Sequence, residues 1–311
     1  MKRIFKSILM LGAVAMLAMT AVSCEKGQSE ISNNGENTGS GDNGGDNGGD
    51  NGGDNGGDNG GTTPALAEPR IGDIYYSDGT WSSELINSKT PIGVVFCLGA
   101  GKSDSASLYT TKGGAQLEEI KGYVIALRDA TENVNDNEGV VWSFYDGWYD
   151  GAGCSSETDD FLGYANTQAI RLAATRSDCP AGEFNGTAQS FPAAWYASDG
   201  YDMLCPAPAA SSGWYLPSVY QLKYIWDKSY FNDGNMLASV EDTLQKLAEK
   251  GLATEMYVRD SEYWSSTEKY DSYGDSCMAY YFCFDESMYQ PGFGSHLNKY
   301  WEVRVRSVLT F

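Results

Sequence analysis

The chain has 311 residues, 42 acidic against 21 basic side chains, one histidine and a net charge of −21. A surface this acidic repels nucleic acid and anionic lipid, so neither is an expected partner. With a 41% hydrophobic content the chain is long enough for one substantial core, with room for an inserted subdomain.

Residues 1–23 read as an export signal. Lys2, Arg3 and Lys6 precede an apolar run from Ile8 to Ala21, which is too short for a comfortable membrane span. "AVSC", Ala21 to Cys24, resembles a bacterial lipobox, with Ala where Leu is commoner. Cleavage before Cys24 would leave its sulfur to carry the lipid. The expected location is therefore an outer-membrane lipoprotein, periplasmic or surface-exposed, that touches the membrane through its lipid anchor only. Residues 24–63 contain five copies of Asp-Asn-Gly-Gly between Asp42 and Gly61. The repeats have no apolar side chain to bury, so nothing offsets the entropy of ordering them. They form a tether with a reach of roughly 35 Å. Setting aside the three basic leader residues and the net −7 of residues 25–63 leaves −17 on residues 64–311, the expected folded domain.

That domain opens with strand signals at Ile71, Ile74 and Tyr76, and a turn at Ser77 to Gly79. "PIGVVFCLG" from Pro91 and "GYVIALRDA" from Gly122 predict buried strands. Thr131 to Phe161, acidic and Gly-rich, predicts loops. Three helices follow. One is predicted over Asn166 to Thr175 with Asn166 as its N-cap. A second starts at Ser218, where Gln221 completes a capping-box pattern. The third carries Leu237, Val240, Leu244 and Leu247 on one face and ends at Gly251. At the carboxy terminus Trp301, Val303, Val305, Leu309 and Phe311 alternate with Glu302, Arg304 and Arg306, predicting a half-buried strand with one wet face. Strands at both ends with helices between them predict an α+β fold whose termini meet in one sheet.

Apart from Cys24 there are six cysteines, Cys97, Cys154, Cys179, Cys205, Cys277 and Cys283. In an exported domain they allow disulfides, with fifteen pairings. Cys277 and Cys283 would stand about 20 Å apart on one strand face, too far to pair.

"GWYLPSVYQL" (Gly213 to Leu222), "YWSSTE" (Tyr263 to Glu268), "AYYFCF" (Ala279 to Phe284) and the terminal "VRVRSVLTF" occur in that order. Together they resemble the C-terminal domain family of Legionella collagen-like adhesin and the Fibrobacter succinogenes major paralogous domains, as found in Bacteroides-type surface lipoproteins. The resemblance is strongest from Ala165 onward. It implies a C-type-lectin-like fold in which the first and last strands pair, two helices pack beneath, and the late loops and short strands form a ligand face.

On the predicted late strand, Tyr280, Phe282 and Phe284 are assigned to the core. Cys277, Ala279, Tyr281 and Cys283 then point outward, and Trp264 reads as a core aromatic. The candidate ligand face is Tyr270, Asp271, Tyr273, Tyr281, Tyr289, Phe293, His296 and Asn298. Tyrosine gives contact area with few rotors, and Ser, Asp, Asn and Gly add adaptable polar contacts, as in antibody loops. The expected partner is a glycan or a protein on a cell, phage or host surface. Residues 270–300 are also rich in types reachable from Asn codons, as expected of a target of a diversity-generating retroelement.

No catalytic residue is assigned: the G-x-S-x-G, HExxH and P-loop patterns are absent, and His296 reads as a loop contact. No cofactor is expected. Calcium is the one metal the acidic stretches Asp129 to Gly139 and Tyr145 to Gly153 would suit, but the first lacks EF-hand spacing. The expected function is non-catalytic recognition or adhesion. The alternatives are a structural surface or fimbria-like component and, well behind it, a formylglycine-generating-type oxidase.

Overall fold

The computed structural model describes residues 67–132, 139–144, 151–179, 182–184, 187–188, 190–230, 238–256, 261–271, 273–274, 276–284 and 294–311. They fall in a compact unit, Thr62–Phe311; the other unit, Met1–Gly61, with Cys24, lies outside the described residues.

In chain order the strands and helices are β1 (Ile74–Tyr76), β2 (Trp81–Ser82), β3 (Pro91–Leu98), β4 (Gly122–Asp129), β5 (Val140–Val141), α1 (Gly163–Ala173), β6 (Glu183–Phe184), β7 (Thr187–Ala188), α2 (Pro192–Trp195), α3 (Tyr201–Leu204), α4 (Val219–Tyr230), α5 (Ala238–Ala248), β8 (Glu262–Lys269), β9 (Met278–Cys283), β10 (Gly294–Asn298), β11 (Glu302–Val303) and β12 (Arg306–Thr310). A π-helical turn, Tyr196–Gly200, joins α2 to α3. The architecture is α+β. A five-stranded antiparallel sheet has the order β12-β4-β3-β1-β2, and a three-stranded antiparallel sheet has the order β10-β9-β8.

Both faces of the large sheet are buried, which explains why its strands read as near-continuous apolar runs. Val94, Phe96, Tyr123 and Ile125 face one core with Leu222 and Ile225 of α4 and Val240, Leu244 and Leu247 of α5. Ile92, Val95, Val124 and Ala126 face a second core with Ile170 of α1, Ala193, Ala197, Trp214 and Trp264. Gly93 is required by this packing: a Cβ there would stand 2.2 Å from Val124 Cγ1 and 2.6 Å from the Ile125 carbonyl.

Two helix ends form as local chemistry dictates. Ser218 N–H donates to Gln221 Oε1 at 2.8 Å and Gln221 N–H returns a bond to Ser218 Oγ at 3.2 Å, a reciprocal capping box. After α5, Gly251 takes φ +71°, its N–H meets the Ala248 carbonyl and the Leu252 N–H meets Leu247, the Schellman arrangement. Leu237 lies outside the described residues.

Other expectations are corrected. The terminal strands share the large sheet but do not pair: β12 bonds to β4, while β1 lies between β3 and β2. Asn166 is not an N-cap. The helix starts three residues earlier, and Asn166 is buried inside it, accepting from Ser155 N–H at 2.8 Å and donating to Ser266 Oγ at 3.2 Å. Within the stretch read as loop, β5 pairs with β11 and Trp142 is buried.

The carboxy-terminal segment has no uniform wet face. Arg306, Ser307 and Thr310 are all 0% exposed, whereas Trp301, assigned to the core side, is 54% exposed. Arg306 is buried because every donor is used. Nη1 bonds Asp129 Oδ1 at 2.8 Å and Thr254 Oγ1 at 3.0 Å, Nε bonds the Ala126 carbonyl, and Nη2 bonds those of Leu127 and Thr254. Asp129 also accepts from Tyr263 OH at 3.2 Å and has Arg304 at 3.5 Å.

Candidate functional site

In the three-stranded sheet Lys269, Met278 and Asn298 stand side by side in register. Two connections therefore leave the sheet at the same end: the segment 270–277 between β8 and β9, and the turn 299–301 after β10. What fixes them is a buried charge cluster. Glu268 is fully buried, and Lys299 folds back to 3% exposure. Its ammonium lies 2.5 Å from Glu268 Oε1 and 3.0 Å from Ser276 Oγ, with the Trp142 ring centroid 4.4 Å away. Glu268 also accepts from Ala152 N–H at 3.0 Å, Cys154 N–H at 3.2 Å, Ser276 Oγ at 2.9 Å and Tyr270 OH at 3.3 Å. Burial pushes the Glu268 carboxyl up, but the Lys299 charge and these donors outweigh it and hold the carboxyl below its ordinary value.

One ion pair thus ties β8, the β8–β9 connection, the segment 152–154 and the turn after β10 together. With Lys299 turned in, its neighbours turn out. Tyr300 is 51% and Trp301 54% exposed, their rings stacked with centroids 6.4 Å apart. Asn298 Nδ2 donates to Tyr300 OH at 3.1 Å, and Trp301 N–H closes the turn on the Asn298 carbonyl. On the β8–β9 connection Tyr273 is 89% exposed, on a turn that Asp271 makes by accepting the Tyr273 N–H at 2.8 Å. The result is an aromatic, hydrogen-bonding surface on a stiff base.

The residues expected on the ligand face divide among different places. Tyr273 is displayed, Asp271 shapes its turn, Tyr270 points back to Glu268, and Asn298 holds Tyr300. His296 is exposed, edge-on to Tyr280 at 5.8 Å. Tyr281 is half-buried against the second core, and burial pushes its phenol up. Tyr289 and Phe293 lie outside the described residues. Phe282 and Phe284 are in the first core, with Tyr280 packed against it. Two companions assigned outward are corrected: Ala279 and Cys283 are buried at 0% and 5%, Ala279 as part of the second core. Trp264 is buried, its indole N–H on the Val140 carbonyl at 2.9 Å. Lys299, Tyr300 and Trp301 were not in the expected set. The signal available was "NKYW", an amide and two aromatics around a lysine at a strand end.

Among the described residues no group of three or more His, Cys, Asp and Glu side chains stands where it could hold a metal ion. Most of the acidic stretches considered for calcium lie outside those residues. No described helix is long and apolar enough to cross a membrane.

No family model matches the chain, and no curated protein does. Among solved structures it is similar to a fimbrial protein from Bacteroides ovatus ATCC 8483, with a TM-score of 0.51 and 21% identity over 78% of this chain. The match takes in 49% of that protein, so the chain spans about half its length. At this identity the likeness is one of fold.

Proposed function

We propose that the protein is a non-catalytic component of the bacterial cell surface that assembles as fimbrial subunits do, with the Tyr300–Trp301 turn as one of its contact surfaces. The observation that carries this reading is the likeness of the fold to a fimbrial protein over 78% of the chain. The cluster under the turn supports it: a stacked aromatic pair on a charge-pinned base is ordered before contact, and an ordered surface loses less entropy on binding. On this reading Cys24 carries a lipid at the outer membrane, and residues 24–63 hold the domain away from it.

The test uses the chain from residue 24 onward with Cys24→Ser, which removes the lipid acceptor. Sedimentation over a wide concentration range should show species larger than one chain, lost on Trp301→Ala. A monomer at every concentration refutes assembly.

A second reading, recognition of a glycan or protein on another surface, is favoured by the 89% exposure of Tyr273 on the β8–β9 connection. A C-type-lectin-like scaffold belongs to this reading, as does diversification of residues 270–300. A monomer that binds components of a glycan and protein array, with or without calcium, would favour it. A template repeat and a reverse-transcriptase gene beside the coding sequence would support diversification, and their absence would end it.

A further inference from the structure

Away from the aromatic turn, α1 and the segment 190–204 border an open cavity of about 210 Å³. Phe191, Trp195 and Asp199 recur every four residues and so line one side of that segment. Ile170 and Ala194, 1% and 3% exposed, make an apolar floor. Arg171 of α1 reaches across the mouth to Asp199 and joins it in an ion pair.

Trp195 is half-exposed but held. A Cβ on Gly200 would stand 2.9 Å from its ring, so the indole lies on bare backbone, and Tyr196 meets it edge-on at 4.9 Å. The turn beneath, Tyr196–Gly200, is π-helical. Such turns cost stability and concentrate at functional sites. The rim pair is not saturated. Arg171 gives one guanidinium nitrogen to Asp199, and among the described residues its Nε and Nη1 and the second Asp199 oxygen have no partner. A planar donor and an acceptor therefore stand side by side above aromatic walls.

We propose that this cavity binds one hexopyranose ring of a glycan. The C–H face of the ring packs on Trp195 and Phe191. Two adjacent hydroxyls meet the rim, their oxygens accepting from Arg171 and one hydroxyl donating to Asp199. The size suits a single ring, below the usual range for drug-sized ligands. With few atoms buried, affinity is on the order of millimolar. Sugar binding here is independent of assembly through Trp301.

The test is saturation-transfer NMR on the Cys24→Ser chain with the methyl glycosides of glucose, galactose and mannose, repeated with Trp301→Ala to exclude the aromatic turn. Transfer to one face of at least one glycoside is expected, unchanged by Trp301→Ala. It should weaken at least tenfold in Asp199→Asn and in Arg171→Gln, both exposed and both expected to keep the parent unfolding midpoint. The proposal is overturned if no glycoside shows transfer, if transfer survives both rim variants, or if Trp301→Ala abolishes it.

Discussion

Replacing Lys299 by methionine keeps the apolar stem and removes the ammonium from a site 3% exposed. Glu268, at 0% exposure, is left ionised with no counter-charge. At 2.5 Å the gross attraction is about 6–7 kcal/mol for an effective dielectric of ~20. Desolvation of both ions offsets most of it, so the intact pair contributes little net stability. Breaking it costs more, about 3–5 kcal/mol, because one charge remains buried alone. At about 2–4 °C per kcal/mol for a domain of this size, the Tm should fall by roughly 6–20 °C. The double variant Lys299→Met/Glu268→Gln should recover much of the loss.

The pH dependence supplies the sign. With Lys299 present, the Glu268 carboxyl is held below its ordinary value of 4.5. Its contribution is complete above that pH and is lost as pH falls through the depressed folded value. Without Lys299, burial dominates and the carboxyl rises. Its penalty is then largest at neutral pH and shrinks on acidification. Urea unfolding of both single variants and the double variant, at neutral and acid pH, measures all of this. A Lys299→Met cost below about 1 kcal/mol, or one that does not change with pH, would refute a buried, uncompensated carboxylate.

Arg306→Met should cost about 3–5 kcal/mol, since it leaves buried Asp129 with Arg304 at 3.5 Å and takes donors from three carbonyls; denaturant titration checks it, and a loss under 1 kcal/mol would count against the network. Gly93→Ala should cost about 1–3 kcal/mol or more by overpacking, because its Cβ meets backbone as well as Val124; an unchanged unfolding midpoint contradicts that packing. Asp104 is raised above its ordinary value of 3.8 by burial, against hydrogen bonds from Tyr109 and Tyr123. Its contribution is complete below 3.8 and is lost as pH rises through the raised folded value. The stability difference between the parent and Asp104→Asn should therefore shrink or reverse as pH rises through that window, and a difference constant with pH excludes the assignment.

The parts legible in the sequence are those whose causes lie a few residues apart. The Ser218–Gln221 box and the Gly251 stop are complete within one turn of chain, and the runs at Pro91 and Gly122 state their burial by composition. What failed depends on distant partners. Arg306 reads as solvated until the carbonyls of Ala126, Leu127 and Thr254 take its donors. Lys299 is buried only because Glu268, 31 residues earlier, and Trp142 close around it. Once Lys299 turns inward, Trp301 turns outward, while Val303 and Val305 stay buried as the alternation expects. The segment 192–204 went unread as helix because Ser198, Asp199 and Gly200 are poor helix formers; Pro192 at its first turn was the available cue. At the candidate surface, composition pointed to Tyr273, while the flanking β9 residues were claimed by a second core that no local pattern announces.

Sedimentation of the Cys24→Ser chain beside its Trp301→Ala variant bears most directly on the central claim. Concentration-dependent assembly of the parent is predicted, with a Trp301→Ala chain that stays monomeric at an unchanged unfolding midpoint. Parent chains that remain single at every concentration, or assemblies indifferent to Trp301, would contradict it.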